Sequence, residues 1–300
     1  MLATEIVELL RRSRTVLDGT LGGGGHSFGL LQAGVQSVIG VDRDAEALAA
    51  AGARLHDFAE AGRFVAIQSN YADINDQSAL DGLRFDGILL DLGISSHQVD
   101  DETRGFTFRA GARLDMRMSG EQSATAADVL NDEDEKTLTM IFREFGDEPR
   151  APRLAREIVR RRGTRPFETS DDFVGAIRAV LGPRSGAAEF ARLFQAVRIA
   201  VNDELPGLTR ALPALRDRLE PGGTLAVIAY HSGEDRIVKN MFRDWSADCI
   251  CPPRQPVCTC RGKALGATLT RRALVPSSDE IDQNPRARSA RLRAWQKSAE

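Results

Sequence analysis

The chain has 300 residues, of which 42% are hydrophobic and 28% charged, and its formal net charge is −3. This composition is ordinary for a globular protein and excludes a collagen, a coiled-coil rod and a wholly disordered chain. No apolar run approaches the roughly 20 residues needed to cross a bilayer, and the first residues do not read as a secretory signal. Four cysteines are too few for a disulfide scaffold, so we expect a cytoplasmic protein that does not contact membranes.

Short apolar runs alternate with helical stretches over the first hundred residues. The runs are 14–18, 37–42, 63–67 and 85–91. An Ala-rich stretch over 45–61 predicts a helix between the second run and the third. Buried strands separated by helices predict a parallel sheet covered by helices on both faces. Three runs end in an aspartate, at Asp18, Asp42 and Asp91. Because ligands bind outside the carboxyl ends of such strands, we expect the three carboxylates to converge on one crevice.

Between about residues 124 and 219 the pattern predicts successive helices and no convincing strand. The predicted helices are 134–145, 152–162, 170–181, 187–201 and 204–219. Apolar β-like runs return afterwards, at 223–230, 268–275 and 290–295. A helical insertion within an α/β sheet explains this order better than two domains in tandem. We therefore predict a discontinuous sheet domain over 1–105 and 206–300, with an inserted helical domain over 106–205.

A glycine-rich segment over 19–27 follows the first predicted strand and opens a helix. Its glycines let the backbone approach a ligand closely, and the helix N-terminus presents free N–H groups. The dinucleotide fingerprint fails because Ser27 or Phe28 stands at the third glycine position, and no Walker A lysine follows. Asp42, at the end of the next strand, can accept hydrogen bonds from two ribose hydroxyls. NAD enzymes and S-adenosylmethionine enzymes share this device, so the two motifs leave the cofactor open.

Further polar residues follow the fourth and the returning strand. Asp91 is placed to contact a cofactor or an acceptor substrate, but it could equally cap the next element. His231 and Glu234 lie at the same predicted edge of the sheet. A lone histidine after a strand is more often a structural group than a catalytic one.

Two basic runs stand out in an otherwise acidic chain. The first contains Arg150, Arg153, Arg156, Arg160, Arg161, Arg162 and Arg165, and the second contains Arg286, Arg288, Arg291, Arg293 and Lys297. Either run alone could be a solvated helix face. Together they favour phosphate binding, for which we single out Arg160, Arg161, Arg162, Arg288, Arg291 and Arg293.

All the cysteines lie in one segment. Cys249 and Cys251 form one C-x-C pair, and Cys258 and Cys260 form a second one after six residues. Four thiolates suffice for a tetrahedral zinc ion, although the usual knuckle spacing is C-x₂₋₄-C. A zinc site and a loop of reduced, inert thiols both remain open.

Ordered sequence blocks along nearly the whole chain resemble the RsmH (MraW) family of bacterial ribosomal RNA methyltransferases. The blocks are DGTLGGGGHS, GVDRD, FDGILLDLGISSHQVD, RGFTF, LDMRM, FQAVRIAVNDEL, PGGTLAVIAYHSGEDRIVK and NPRARSARLR. The resemblance implies S-adenosylmethionine-dependent N4-methylation of a cytidine in the decoding region of 16S rRNA. It also implies a Rossmann-like methyltransferase domain with a helical insertion, acting on a partly or fully assembled small ribosomal subunit.

The resemblance also assigns site residues. Its cofactor contacts fall on Gly24, Gly25, His26, Asp42, Tyr71, Asp91 and Gln98. Methyl transfer requires the cytidine amine to be aligned with the breaking bond of the methyl donor. A group that accepts a hydrogen bond from the amine would disperse the developing positive charge. Our candidates for this group are Asp115 and His231, with Asn202 and Glu234 behind them.

Three alternatives remain open. A methyltransferase could act on another acceptor, such as DNA or protein, although the [D/N/S]-P-P-[Y/F/W] motif of many DNA enzymes is absent at 91–94. A non-catalytic RNA-binding assembly factor could retain the fold, but it would not need an intact cofactor crevice. An NAD dehydrogenase is less favoured because the fingerprint fails. The sequence leaves the oligomeric state open.

Overall fold

The computed structural model describes residues 1–94, 104–120, 124–252, 255 and 257–299. The chain forms two compact units, one made of Met1–Gly93 with Leu205–Glu300 and the other of Ile94–Glu204. The first unit contains the sheet, and the second is mainly helical.

One seven-stranded sheet organises the first unit. Its strands are β1 (Thr15–Asp18), β2 (Ser37–Asp42), β3 (Phe64–Gln68), β4 (Phe85–Asp91), β5 (Leu219–Ala229), β6 (Gly266–Thr268) and β7 (Arg291–Lys297). The order is β3-β2-β1-β4-β5-β7-β6, in which β1 to β5 pair in parallel and β7 pairs antiparallel with β5 and β6. The order reverses between β1 and β4, where ligands of α/β sheets bind. The predicted Rossmann-like sheet is confirmed.

Helices follow most of the strands. They are α1 (Ala3–Leu10), α2 (Gly25–Gln32), α3 (Ala45–Arg54), α4 (His56–Glu60), α5 (Ala126–Asp132), α6 (Glu135–Met140), α7 (Ala151–Arg162), α8 (Ser170–Leu181), α9 (Ala187–Asn202), α10 (Glu204–Asp217), α11 (Ser232–Trp245) and α12 (Ser278–Gln283). Short 3₁₀ turns cover Tyr71–Asp76, Ser78–Leu80 and Pro285–Ser289. No helix within the described residues is long and apolar enough to cross a membrane.

The central strands are buried on both faces, as their continuous apolar runs predict. The edge strand β3 is not: Val65 is 54% exposed, because no further strand or helix of the described residues covers that position. Successive strand side chains point to opposite faces, so Leu17 and Ile88 enter one apolar core whereas Val16 and Leu89 enter another. The first core also contains buried residues of α10 and α11, and the second contains buried residues of α1, α2 and α3. The strand ends are therefore fixed from both sides.

Two predicted elements of the sheet unit differ from the structure. The predicted helix over 45–61 is divided into α3 and α4, with Leu55 between them in a non-helical conformation. The predicted strand over 268–275 is reduced to β6 and an isolated bridge between Leu274 and Leu292. The N–H groups of Leu269 and Thr270 both point to the Ala294 carbonyl, at 2.9 and 3.4 Å. Two residues opposite one form a bulge-like irregularity, which interrupts the ladder.

The helical unit has its own aromatic core. Phe173 packs against Phe142 and Phe194 at ring-centroid distances of 5.9 and 4.9 Å. The predicted helix over 134–145 consists of α6 and a π turn, Ile141–Phe145. Sequence reasoning missed α5, although Thr125 and Asp128 form a capping box at its start, which is a readable signal.

Candidate functional site

The carboxyl ends of β1, β2 and β4 meet at the glycine loop, residues 19–25. The Gly22 N–H donates to Asp42 Oδ2 at 2.8 Å, and the Asp91 N–H donates to Thr20 Oγ1 at 2.5 Å. The Thr20 N–H approaches Asp18 Oδ1 at 3.3 Å. One loop therefore joins three strand ends that are distant in sequence. We call the loop and these three aspartates the rim.

Asp42 is held in place by the backbone. Its two carboxylate oxygens accept one N–H each, from Gly22 at 2.8 Å and from Asp44 at 2.9 Å. Burial raises its pKa above the ordinary value, although these two hydrogen bonds act in the opposite direction. Each oxygen retains acceptor capacity, because a carboxylate offers about four lone-pair sites. The arrangement suits a ligand with two neighbouring hydroxyl groups.

Asp18 has a different role from the one that its position predicts. Its side chain is only 1% exposed and accepts a hydrogen bond from Ser27 Oγ at 2.7 Å. Burial raises its pKa to about 6, against the opposing effect of the Ser27 hydrogen bond. The carboxyl group joins β1 to the first turn of α2 and is turned inward. The expectation that all three aspartates face one crevice is therefore wrong for Asp18.

Asp91 lies between a histidine and a tyrosine. His26 Nε2 is 3.3 Å from Asp91 Oδ2, without the alignment of a hydrogen bond, and Tyr230 Oη donates to Asp91 Oδ1 at 2.7 Å. Burial and the neighbouring Asp91 charge raise the pKa of Tyr230 well above its usual range. Sequence reasoning gave Tyr230 no role. No local sequence signal identifies Tyr230, because it reaches Asp91 only through the parallel pairing of β4 with β5, in which Asp91 is opposite Ile228.

Two buried imidazole nitrogens lack a hydrogen-bond partner among the described residues. They are His26 Nε2 and His231 Nε2. Buried polar atoms are nearly always paired, so such atoms indicate a ligand, an ordered water or a functional group. His26 belongs to the first turn of α2, directly after the glycine loop.

Two glycines shape the rim. Gly24 has a left-handed φ of +73°, and an added Cβ would lie 2.9 Å from Leu55 Cδ1, so it allows the loop to pack against the end of α3. Gly23, in contrast, has nothing within 4 Å of an added Cβ, which leaves the loop open on that side. Gly93 has φ +95°, and an added Cβ would lie 3.2 Å from the Tyr230 ring. The positive φ favours glycine at Gly24 and Gly93, and a side chain at either position would also crowd its neighbour.

The remaining predicted cofactor contacts are placed as follows. Gly25 is the first residue of α2, which begins without a side-chain cap and so presents its N–H groups at the rim. Tyr71 begins the 3₁₀ turn after β3 and is largely buried in the apolar core beneath Gly19. Gln98 lies outside the described residues.

His231 and Glu234 cap α11 at the end of β5. Glu234 Oε2 accepts hydrogen bonds from the N–H groups of Tyr230 and His231, at 2.8 and 3.3 Å. His231 Nδ1 accepts from the Gly233 N–H at 3.2 Å, and Nε2 lies 3.3 Å from Glu234 Oε1. A neutral ring that accepts at Nδ1 carries its proton on Nε2. Both side chains therefore order the start of the helix.

Asp115 and Asn202 belong to the helical unit. The Asp115 carboxylate accepts two hydrogen bonds from the Arg117 guanidinium, from Nε at 2.8 Å and from Nη2 at 2.7 Å. Burial tends to raise the Asp115 pKa, but the Arg117 hydrogen bonds outweigh it and hold the pKa below its ordinary value. Asn202 is buried, accepts from the Met118 N–H at 2.8 Å and donates to the Met116 carbonyl at 2.7 Å. It fixes the chain on both sides of Arg117.

Several arginines of the first basic run already bind groups within the protein. Arg160 and Arg161 both bind Glu157, at 2.8 and 2.7 Å. Arg162 donates to two carbonyls at the end of α5, Leu130 and Glu133, at 3.0 and 2.6 Å. The Arg160 side chain is nevertheless 66% exposed. Only part of this run is available to an external phosphate.

The second basic run contains a buried ion pair. Arg293 is 9% exposed and binds Asp235 through two hydrogen bonds, at 2.6 and 3.1 Å. Arg291 and Arg293 share one face of β7. Arg293 is buried because it lies within the strand, opposite Val227, and pairs with Asp235 of α11, whereas Arg291 is exposed at the first position of the strand. A phosphate contact by Arg293 does not fit this geometry. The side chains of Arg288 and Arg291 are exposed and have no hydrogen-bond or ion-pair partner among the described residues.

The four cysteines lie together in the loop between α11 and β6. Their sulfur atoms are all within 4.8 Å of one another.

Comparisons with known proteins agree with this arrangement. A family model described as the MraW methylase family matches residues 1–298. The chain is 63% identical over 295 residues to a ribosomal RNA small subunit methyltransferase H of Gemmatimonas aurantiaca, covering 98% of this chain and 93% of the relative. It is 46% identical over 306 residues to the protein of the same name in Heliobacterium modesticaldum, covering 99% and 97%. The predicted resemblance is confirmed: the chain belongs to the MraW methylase family.

Proposed function

We propose that this protein transfers a methyl group from S-adenosylmethionine to N4 of a cytidine in the decoding region of 16S rRNA. The substrate would be a partly or fully assembled small ribosomal subunit in the cytoplasm. Family membership and the names of the relatives support rRNA as the substrate. The rim carries the proposal structurally, because Asp42, Asp91 and an open glycine loop stand together at the switch point of the sheet.

The residues of the rim fit the proposed cofactor. Asp42 would accept hydrogen bonds from the ribose hydroxyls, and the N–H groups of Gly25 and His26 at the start of α2 would bind the carboxylate of the amino-acid part. His26 Nε2, buried without a partner, supplies a further polar contact beside Asp91. Bound there, the cofactor supplies an electrophilic methyl group on a sulfonium. The protein therefore has to position the amine rather than activate the methyl group.

Asp115 is the better candidate to accept a hydrogen bond from the cytidine amine. Its lowered pKa keeps it ionised near neutral pH. Oδ1 accepts two hydrogen bonds from Arg117, but Oδ2 accepts only one from the described residues and so retains a lone pair for the amine. His231 is less suited, because Nδ1 already accepts from the Gly233 N–H. We propose positioning roles for Asn202, which fixes the chain around Arg117, and for Glu234, which fixes His231.

RNA recognition is proposed for the helical unit and for the exposed arginines. As part of this proposal, we assign RNA recognition to the helical insertion that the sequence predicts over 106–205. Arg160, Arg288 and Arg291 are exposed, so they can contact the phosphate backbone and fix its register. The target base must also leave its stack to reach the methyl donor.

Mass mapping of 16S rRNA tests the function directly. We expect rRNA from cells that lack this protein to lose one methyl group on a cytidine. The purified wild-type protein should restore it on isolated small subunits, whereas Asp42→Ala should not. An unchanged 16S mass after deletion would disprove the assignment, and binding to subunits without transfer would indicate an assembly factor instead.

A second experiment tests Asp115. We expect Asp115→Asn to lower kcat about 100-fold while cofactor affinity stays unchanged, because the hydrogen bond strengthens only as charge develops. Asp128→Asn serves as a control on a helix-capping carboxylate of the same unit. An unchanged kcat for Asp115→Asn would exclude a role for the charge, and an unchanged kcat for Asp115→Ala would exclude the acceptor role.

A further inference from the structure

The four cysteines form a compact cluster that the methyltransferase site does not use. The sulfur of Cys258 lies 3.8 Å from that of Cys249, 3.9 Å from that of Cys251 and 3.5 Å from that of Cys260. The sulfurs of Cys249 and Cys260 are 3.8 Å apart. These four separations range from 3.5 to 3.9 Å, and all four sulfurs lie within 4.8 Å of one another, so they surround one common centre.

These separations match one metal ion. A tetrahedral zinc ion with Zn–S bonds of about 2.3 Å places its sulfur ligands about 3.8 Å apart. Thiols are weak hydrogen-bond donors, so four of them in a metal-free loop have little reason to gather at exposed positions. The Ile250 N–H also points to Cys260 Sγ at 3.4 Å, the kind of outer contact that orients a thiolate ligand.

Among the described residues 249–252, 255 and 257–260, no apolar side chain is buried: Ile250 is 51% exposed and Val257 is 70% exposed. This part of the loop therefore has no apolar core of its own. Its base is anchored, because the Arg261 guanidinium donates to the Asp244 and Ala247 carbonyls near the end of α11. Between these anchors, a metal ion can supply the stability that packing does not.

We propose that Cys249, Cys251, Cys258 and Cys260 bind one structural Zn²⁺. Four thiolates close the coordination shell, so the ion has no open position for substrate. The cluster follows the C-terminal end of α11, whereas His231 precedes its first residue. A 14-residue helix spans about 21 Å, which separates the cluster from the rim. The zinc ion would therefore hold the loop in place and take no part in methyl transfer.

Metal analysis of the full chain tests the proposal. Protein purified under reducing conditions, without added zinc or chelator, should contain about one zinc per chain. Cys251→Ser and Cys258→Ser should each lower the zinc content at least tenfold. Thr259→Ser, which keeps the hydroxyl that accepts from Gln255, is the matched control and should retain zinc. Cofactor affinity should stay within about twofold of the wild type in all three variants, which also shows that they fold.

A second measurement does not depend on the folding of variants. Replacement of zinc by Co²⁺ in the wild-type protein should give the intense visible bands of a tetrahedral cobalt–thiolate site. Stoichiometric iron, a pair of disulfides in the reduced preparation, or zinc-free protein that takes up no Co²⁺ would each overturn the assignment. These outcomes are independent of the rRNA experiment, so either proposal can fail without the other.

Discussion

The rim and the basic runs both involve charged residues, but the protein uses them in opposite ways. At the rim, Asp42 and Asp91 are brought to one loop by the sheet, and Asp42 is held by backbone N–H groups. In the basic runs, Arg160 and Arg161 share one glutamate, and Arg293 is buried against Asp235. Strand topology fixes where a strand-end aspartate lies, whereas the surroundings decide whether an arginine is free.

The comparison shows that a run of like charges is poor evidence for a binding surface. An arginine neutralised by a carboxylate, or bound to helix-end carbonyls as Arg150 is by Val180 and Leu181, has less charge to offer a phosphate. Four measurements test this difference between the rim and the basic runs.

The largest effect is expected on removal of the buried arginine. Arg293→Ala leaves the Asp235 carboxylate without its partner, so the free energy of unfolding should fall by about 3 kcal/mol. Arg291→Ala, two positions earlier and exposed, should change it by less than about 0.5 kcal/mol. Chemical denaturation of both variants measures the difference. Equal stabilities would mean that the Arg293 pair contributes nothing and that Arg293 is available after all.

Asp42→Ala should weaken S-adenosylmethionine binding about 100-fold, because two hydrogen bonds to a carboxylate are lost. Isothermal titration calorimetry measures the affinity, and the thermal transition checks that the fold persists. Asp81→Ala, on an exposed turn outside the rim, is the control and should bind like the wild type. Unchanged affinity for Asp42→Ala would remove Asp42 from the cofactor site.

Asp18→Asn should alter the pH dependence of stability. Between about pH 4 and pH 6 the folded chain keeps a proton on Asp18 that the unfolded chain has lost, because burial raises the folded pKa. The wild type therefore loses stability as the pH rises through this window, by about 3 kcal/mol at most.

The asparagine variant lacks this titration, so its stability relative to the wild type should increase from pH 4 to pH 7. Ser27→Ala removes the hydrogen bond that favours the charged form of Asp18. This variant should therefore lose more stability than the wild type as the pH rises. Denaturation curves at both pH values measure these changes. Parallel curves for Asp18→Asn and the wild type would contradict the inward, desolvated position of Asp18.

The smallest expected effect separates exposed arginines from paired ones. Arg288→Gln combined with Arg291→Gln should reduce the salt slope of RNA binding by about 1.4, if each residue contacts one phosphate. Arg160→Gln combined with Arg161→Gln should reduce it less, because Glu157 already holds both side chains. Binding to 16S rRNA fragments across a salt series measures both slopes. The reverse order would show that Glu157 releases its partners on binding.

Sequence reasoning predicted most of the sheet but failed where residues interact across the fold. The runs that became β1, β2, β3 and β4 are local apolar patterns, and the structure contains all four. Tyr230, by contrast, reaches Asp91 only because β5 pairs beside β4, a contact across 139 residues. The 268–275 run likewise has β-like composition, but the irregularity opposite Ala294 limits its pairing.

Local sequence patterns suffice to predict the alternation of strands and helices, the glycine loop after β1, the aspartates that end three strands and the two C-x-C pairs. These features depend on residue type and spacing over a few positions. Only the folded chain shows that Asp18 turns inward, that Arg293 is buried and that the four sulfurs lie within 4.8 Å of one another. Such outcomes depend on which distant groups become neighbours and on the water they displace, and neither is recorded in local sequence.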